Sequence, residues 1–362
     1  MKFLLVSPFS SISGSAVRFR NMAVQLEKHG HEVVYVERKT PGVPSPELDN
    51  ITYLTSPVLQ FLFFDMAVST LFNFYVLFKH CNCSVFYALK PAPNNCFPAL
   101  FAKLIGKRVF IDIDDLDYGY FKPGFKRNIS KFFFEFFPKH FELITCHTDK
   151  LYRYIVDSLQ IPVKKVYYLA QGVSQEFLDF KPVTAEKRNP FSIIYVATLG
   201  ITSDLEDILP MLSEFFSAFP QAFISIVGSG PHKNYLEELS RRLKIEKNCF
   251  FLGNISHEKM PELMNRHLVG INYMRSSLTN ECRASLKTRE YLACGLQVIC
   301  NDMGDAEMFR DYVYVEKDIE NMKVRLESIM LNKCSKTGGR KALQTNYSWP
   351  VIIDDFLKKT GL

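Results

Sequence analysis

Residues 285–299 read SLKTREYLACGLQVI. This short stretch joins a helix-like segment to a strand-like one. The first part is rich in helix-forming residues and ends at Gly295, a residue that commonly terminates helices. An apolar run follows at once, which is typical of a buried strand. The stretch therefore predicts a helix that leads directly into a strand.

Lys287 and Glu290 stand three residues apart in that helix, so they share one face with Cβ atoms about 5–6 Å apart. A lysine in the first turn can meet a phosphate, which a helix N-terminus already attracts. A glutamate one turn later can accept hydrogen bonds from a ribose diol. The spacing alone equally allows a surface ion pair worth a few tenths of a kcal/mol.

Strand-like and helix-like runs alternate on both sides of this stretch, which predicts an α/β fold of two doubly wound, Rossmann-like parallel-sheet domains. The length of 362 residues agrees with two domains of ordinary size. A charged, aperiodic segment at 180–190 carries two prolines and predicts the boundary. We expect an N-terminal domain at 1–180, a C-terminal domain at 181–345, and a helix at 346–362 that packs back on the N-terminal domain.

Composition narrows the classes of function. The net charge of +6 suits an anionic ligand or an acidic membrane surface, but no basic run has the interleaved aromatics of a nucleic-acid-binding surface. Nine cysteines lack metal-site spacing and read as reduced thiols, which favours the cytoplasm. We expect no nucleic acid partner and no metal.

Two apolar segments in the first half invite a membrane interpretation. Residues 58–78 could span a bilayer by length, but Asp65 would be costly there, so we expect a buried or interface-lying helix. Residues 122–140 mix phenylalanines with lysines and arginine. Burial in a domain core is one interpretation of this segment, and a patch resting on anionic membrane at the inner face is the other.

Ligands of open α/β sheets bind beyond the carboxyl ends of the strands, so residues that follow strands are candidates. Four aspartates at 112, 114, 115 and 117 repel one another, and at least one should titrate high. A general base, a divalent-metal site or a helix cap would each explain them. Further candidates follow other predicted strands or begin the next helix: Gly14, Arg18, His147, Gly200, Gly230 and Ser285.

The order of motifs resembles the retaining, nucleotide-sugar-dependent GT-B glycosyltransferases of family 4, also called glycosyltransferase group 1. The elements that carry the resemblance, in chain order, are the small-residue loop and helix at 13–20, the GHEV element at 30–33, QGVS at 171–174, VGSG at 227–230, the segment 251–260 and the stretch 285–299. The last match is the most specific, and the series covers nearly the whole chain.

The resemblance implies two domains facing across a cleft, an N-terminal, acceptor-binding domain and a C-terminal, donor-binding domain. It also implies transfer of a sugar from a nucleotide-diphospho-sugar to a glycan, lipid-linked or small-molecule acceptor, with retention of configuration. It gives Lys287 a contact to donor phosphate, Glu290 the ribose, and Asp114 a polar role on the acceptor side. Gly14, Arg18, Gly200, Gly230 and Ser285 are expected to bind the donor. A hexosyltransferase of polysaccharide or glycolipid synthesis is expected.

The sequence also departs from the family pattern. Many members carry a second glutamate eight residues before the ribose-binding one, where this chain has Cys282, with Glu281 one residue off. The loop at 198–202 lacks the cations found in many members, and Gln297 replaces a proline. A non-catalytic GT-B-like binding protein, or a GT-B epimerase or phosphorylase, therefore stays open.

Overall fold

The computed structural model describes residues 1–10, 13–39, 48–59, 62–200 and 203–362. The chain forms two compact units, one of Met1–Gln171 with Trp349–Leu362, the other of Gly172–Ser348. Each unit is built on an all-parallel sheet. The predicted fold class of two Rossmann-like α/β domains is confirmed.

The first unit has a seven-stranded sheet with the order β3-β2-β1-β4-β5-β6-β7. Its strands are β1 Lys2–Ser10, β2 Glu32–Arg38, β3 Thr52–Ser56, β4 Val85–Leu89, β5 Arg108–Ile113, β6 Leu143–Cys146 and β7 Val166–Tyr168. Its helices are α1 Gly14–Lys28, α2 Leu62–Lys79, α3 Pro93–Leu104, α4 Phe125–Phe136 and α5 Asp149–Arg153.

Burial explains why the central strands of this sheet are apolar on both faces. Every residue of β4 is buried, as is the run from Phe3 to Val6 in β1. Helices cover both faces of an all-parallel sheet, so alternation of polar and apolar residues is lost. The rings of Phe19 from α1 and Phe110 from β5 both meet Tyr87 edge-on, which ties helix to sheet.

The second unit has a six-stranded sheet with the order β10-β9-β8-β11-β12-β13. Its strands are β8 Asn189–Val196, β9 Phe223–Val227, β10 Cys249–Gly253, β11 His267–Asn272, β12 Gln297–Asn301 and β13 Tyr314–Glu316. Its helices are α6 Gln175–Asp179, α7 Leu205–Ala218, α8 Lys233–Arg242, α9 Met260–Asn265, α10 Leu278–Glu281, α11 Leu286–Ala293, α12 Ile319–Met330 and α13 Gly339–Asn346. The strand order turns back between β8 and β11, the kind of switch point where α/β sheets bind ligands.

The units divide earlier in the chain than the predicted boundary at residue 180. Residues 172–180 belong to the second unit, because Val173 bridges to Ser348 and Phe177 enters a core cluster with Tyr291. The last helix, α14 Trp349–Thr360, returns to the first unit, where Trp349 packs in the same core cluster as Phe19.

The apolar segment predicted at 58–78 corresponds to α2, although residues 60 and 61 lie outside the described residues. Within the described part of the chain, no helix combines the length and the apolar character needed to cross a membrane.

Candidate functional site

Helix α11 of the second unit begins at a cap that is anchored to the end of β11. Ser285 is the N-cap, and its Oγ accepts hydrogen bonds from the Thr288 amide at 3.3 Å and from Asn272 Nδ2 at 2.8 Å. Its own amide donates to Asp305 Oδ1 at 3.0 Å. These contacts are internal to the unit, so the structure gives Ser285, which the resemblance assigned to the donor, the role of a helix cap.

A buried ion pair holds the same helix from the other side. Arg289 Nη2 lies 2.6 Å from Asp305 Oδ2, and both side chains are almost fully buried. Asp305 therefore binds the cap and the helix at once. The position of Lys287 and Glu290 is fixed by this network, since both lie within one turn of Arg289.

Lys287 lies on the face of a buried tyrosine. Its Nζ is 4.7 Å from the centroid of the Tyr195 ring, and the side chain is half-buried. Burial and, to a smaller extent, the neighbouring Arg283 lower its pKa to about 7, against the opposing effects of Asp204 and Glu290. Among the described residues no carboxylate forms an ion pair with Lys287. A bound anion could therefore form an ion pair with this amine.

Glu290 is buried one turn further along the helix and does not pair with Lys287. Its Oε1 lies 3.3 Å from Nε2 of His257, whose ring meets Phe177 edge-on with 5.1 Å between centroids. The surface i,i+3 ion pair that the spacing also allowed is therefore not formed. His257 was missed as a partner of Glu290, although it lies inside the segment 251–260 that carries the resemblance.

The glycines after β9 are required by the close approach of two backbones. A Cβ on Gly228 would stand 1.8 Å from the carbonyl oxygen of Ala197, and one on Gly230 would stand 2.3 Å from that of Leu199. Both have positive φ, at +129° and +159°. The structure thus explains Gly230, a predicted donor contact, by the packing of this turn against the loop after β8.

Gly200 lies in that loop and has open space beside it, because nothing comes within 4 Å of an ideal Cβ. Residues 201 and 202 of the predicted loop lie outside the described residues. A cation that the sequence pattern did not single out follows β11: Arg275 pairs with Asp207 at 2.6 Å and with Glu206 at 2.5 Å. Its charge is therefore neutralised by the start of α7.

Cys282, at the position where many members carry a glutamate, is fully buried at the end of α10. Glu281 is half-buried. Arg283 follows, and it is a second cation near Lys287 that the motifs did not single out. The spacing of four residues between Arg283 and Lys287 could have indicated that the two cations lie close together.

In the first unit Arg18, for which the resemblance implies donor binding, directs its guanidinium to groups within the protein. Its five N–H groups reach Asp112 at 2.9 and 3.0 Å, the carbonyls of Leu169 and Ala170 at 2.9 and 3.0 Å, and the side chain of Gln171 at 3.4 Å. The side chain is 1% exposed. Arg18 is a structural residue that joins α1 to the ends of β5 and β7.

The other three aspartates of the predicted cluster surround one lysine. Lys90 follows β4 with a left-handed φ of +62°, and its Nζ lies 3.0 Å from Asp114, 3.6 Å from Asp115 and 2.6 Å from Asp117. Together with the pairing of Asp112 to Arg18, these contacts explain why four carboxylates can stand within six residues.

Two carboxyl groups of this cluster, those of Asp114 and Asp117, have pKa values shifted in opposite directions. Burial raises the pKa of Asp114, but Lys90 and then His147 outweigh it, so its pKa is lowered. Burial and the two neighbouring carboxylates raise the pKa of Asp117 to about 7, against the opposing effect of Lys90. The carboxyl group that titrates high is therefore Asp117, and Asp114 is an anion at neutral pH.

Gly14 is the first residue of α1, exposed and with open space beside it. The cap is Ser13, whose Oγ accepts from the Ala16 amide at 3.1 Å. Residues 11 and 12 of the predicted loop lie outside the described residues. No group of three or more His, Cys, Asp or Glu in the described ranges is placed to hold a metal ion.

Comparison with known proteins agrees with this architecture. Residues 176–345 match the family model "Glycosyl transferases group 1". One component of the human phosphatidylinositol N-acetylglucosaminyltransferase is 26% identical over 127 residues, which is 35% of this chain and 25% of that protein. The chain thus matches about a quarter of the length of this curated relative.

Two solved structures share the fold over the whole chain at low identity. Sucrose-phosphate synthase from Thermosynechococcus elongatus has a TM-score of 0.79 at 14% identity, covering 99% of this chain and 98% of that one. WaaG, a glycosyltransferase involved in lipopolysaccharide biosynthesis, has a TM-score of 0.75 at 15% identity, covering 100% of both.

The two parallel sheets and these neighbours define a protein of the GT-B fold. The match over residues 176–345 takes in nearly all of the second unit and includes α11 with Lys287 and Glu290. Residues 176–345 are similar to the glycosyl transferases of group 1, which agrees with the resemblance found in the motifs.

Proposed function

We propose that the protein transfers a hexosyl group from a nucleotide-diphospho-sugar to a carbohydrate, lipid-linked or small-molecule acceptor, with retention of configuration. The observation that carries the proposal is the cation on α11. Lys287 is half-buried on Tyr195, lacks a carboxylate partner among the described residues, and stands beside a second cation, Arg283.

The chemistry follows from the charge that develops in the reaction. When the glycosidic bond to the diphosphate breaks, negative charge grows on the leaving phosphate oxygen. A preorganised cation at the N-terminal turn of a helix stabilises that charge more in the transition state than in the bound donor. Lys287 and Arg283 supply such charge, so the proposed mechanism assigns no role to a metal.

Glu290 is proposed to bind the nucleotide ribose. A buried carboxylate beside His257 is held in one orientation and keeps an acceptor oxygen for a diol. Gly200 leaves open space in which a backbone amide can approach a phosphate. In the first unit we propose Asp114, an anion held by Lys90, as the polar group on the acceptor side.

A thermal-shift panel with UDP, GDP and ADP and their glucose esters tests donor binding, because a ligand that binds only the folded state raises the melting temperature of the protein.

Substitution Lys287→Ala should lower sugar transfer by roughly 10²-fold or more, the scale of losing one oxyanion-stabilising donor. The matched control is Lys247→Ala, an exposed lysine of the same unit. Transfer at the normal rate in Lys287→Ala would show that the amine has no part in the chemistry.

Cys282 favours a second candidate, a GT-B protein that binds a nucleotide sugar without transferring it. The position carries a buried thiol where many family members have a glutamate. Binding in the panel with no transfer to any acceptor class would support this candidate. Turnover of nucleotide-sugar without an acceptor would instead indicate an epimerase.

A further inference from the structure

Helix α2 carries its polar residues on its buried face. Asp65, Ser69 and Asn73 are spaced four residues apart and are all buried. Asp65 pairs with Arg38 and accepts from the Leu59 amide at 2.9 Å. Hydrogen bonds to the start of α3 hold the other two, through Asn94 to Ser69 at 3.0 Å and from Asn73 to the Asn94 carbonyl at 2.9 Å.

The opposite face of α2 is apolar and exposed. Phe64, Leu71, Tyr75 and Phe78 follow at intervals of seven, four and three residues, which places them on one side of a helix. Phe64 is 70% and Leu71 68% exposed. A surface helix of a globular protein normally exposes its polar face. Helix α2 exposes an apolar face instead, which is suited to contact with an apolar environment.

Helix α4 also carries an apolar stripe on its exposed side. Phe125, Ile129, Phe132 and Phe136 are spaced by four, three and four residues and are all exposed, with Phe125 at 77%. Phe134, on the opposite side of the helix, is buried. One face of this helix therefore enters the core, and the other carries an exposed apolar stripe.

Helix α3 lies between these two and joins their stripes. The ring of Phe101 meets those of Phe74 and Phe78 from α2, with centroids 5.8 and 5.5 Å apart. Phe97 is exposed and lies 6.3 Å from the ring of Phe133 in α4. The outer faces of α2, α3 and α4 thus form one continuous area, here called the three-helix apolar surface.

Positive charge flanks this surface along α4 and its two ends. Within residues 121–140 the cations are Lys122, Lys126, Arg127, Lys131 and Lys139, against the single acid Glu135, a net charge of +4. Four of the five, all but the half-buried Arg127, are exposed. An exposed apolar area of this extent on a monomer is typical of an interaction site. Since its rim is cationic, two copies placed face to face would repel each other.

We propose that the three-helix apolar surface of the first unit docks on a membrane that contains anionic lipid. Aromatic and leucine side chains enter the boundary between head groups and acyl chains, and the surrounding lysines meet the negative surface charge. The protein lies on the bilayer through helix faces and does not span it. This inference does not rest on the proposed transfer, because docking is measured without donor or acceptor.

Flotation of the full chain with vesicles tests the proposal. We expect binding to phosphatidylcholine vesicles that contain a quarter phosphatidylglycerol, at least tenfold weaker binding to pure phosphatidylcholine, and weakening by salt. Leu71→Ser and Phe132→Ser should each weaken binding at least tenfold. Phe250→Ser, a half-exposed phenylalanine of the second unit, is the matched control that leaves binding unchanged.

Charge variants test the rim separately. Lys126→Gln and Lys131→Gln should each weaken binding to anionic vesicles roughly fivefold, which corresponds to about 1 kcal/mol per lysine. Lys244→Gln, an exposed lysine of the second unit, should not. Equal binding to both vesicle types, no binding at all, or binding unaffected by Leu71→Ser and Phe132→Ser would overturn the proposal. A dimer in solution that these two variants dissociate would also overturn it, in favour of a second copy as occupant.

Discussion

Binding of a nucleotide-diphospho-sugar should be accompanied by uptake of protons from the solvent, because Lys287 becomes protonated in the complex. With a pKa of about 7, this amine is about half protonated in the free protein at pH 7. A diphosphate next to it favours the charged form and raises the pKa. Complete protonation in the complex then takes up about 0.5 proton per donor bound at pH 7.

The sign of the pH dependence follows from that shift. A group whose pKa rises on binding supports binding fully below its free pKa and loses that support as pH rises through it. Affinity should change little between pH 5.5 and 6.5, and should then fall with a slope that approaches about tenfold per pH unit well above pH 7. Between pH 6 and pH 9 the loss approaches roughly a hundredfold, or about 2.7 kcal/mol.

Calorimetry in buffers of different ionisation enthalpy measures both the uptake and the affinity. Glucose esters of the nucleoside diphosphates are the suitable probes, since their phosphates lack the ionisation near pH 6 that a terminal phosphate has. The matched variant is Lys287→Arg, because a guanidinium keeps its charge over this range. It should bind with a nearly flat pH profile and without proton uptake.

Two results would refute this reasoning. A wild-type affinity that is constant from pH 6 to pH 9 would mean that Lys287 is not next to the bound phosphates. An unchanged slope in Lys287→Arg would assign the titration to a group other than Lys287.

Two further predictions concern stability. Arg18→Met should destabilise the first unit by about 3–5 kcal/mol, because it leaves the carboxylate of Asp112 buried without its partner; urea unfolding followed by the fluorescence of Trp349, the single tryptophan of the chain, measures this. Gly228→Ala should destabilise the second unit by more than about 1 kcal/mol, since the added Cβ would overlap the Ala197 carbonyl oxygen; thermal unfolding followed by circular dichroism measures that.

Each of these has a control in the same chain. Arg108 and Glu142 form an exposed pair at 2.8 Å, and Arg108→Met should cost less than about 1 kcal/mol. Gly14 has open space at a helical position, so Gly14→Ala should be neutral or slightly stabilising. Equal effects in Arg18→Met and Arg108→Met, or in the two glycine variants, would contradict the reasoning from burial and contact.

The architecture could be predicted from the sequence because it depends on local periodicity. Apolar runs of four to eight residues, separated by helical patterns and by glycines such as Gly30 and Gly295, predict parallel sheets with little ambiguity. The strand order and the return of the last helix to the first unit depend on pairings between distant segments. The division of the units at residue 172 rests on the contact of Val173 with Ser348, which no local pattern indicates.

The ion-pair partners of the charged residues could not be predicted from local sequence, for the same reason. Arg18 near the start of α1 has the position of an anion-binding residue, but its partner Asp112 is 94 residues away. The aspartates after β5 suggest a general base or a metal, yet Lys90, from the preceding strand end, pairs with three of them. Local sequence shows which charges exist, and the packing of the sheet decides which of them neutralise one another.

Helix α2 shows why composition alone could not decide its environment. Its apolar content is high, and a single acid, Asp65, argued against a membrane span, which predicts a helix buried in the domain or lying at an interface. The structure places Asp65, Ser69 and Asn73 inward, where Arg38 and the start of α3 bind them. Once those polar groups are satisfied by the protein, apolar residues such as Phe64 and Leu71 are left on the outer face. The same acid that makes a membrane span costly therefore fixes the helix with its apolar face outward.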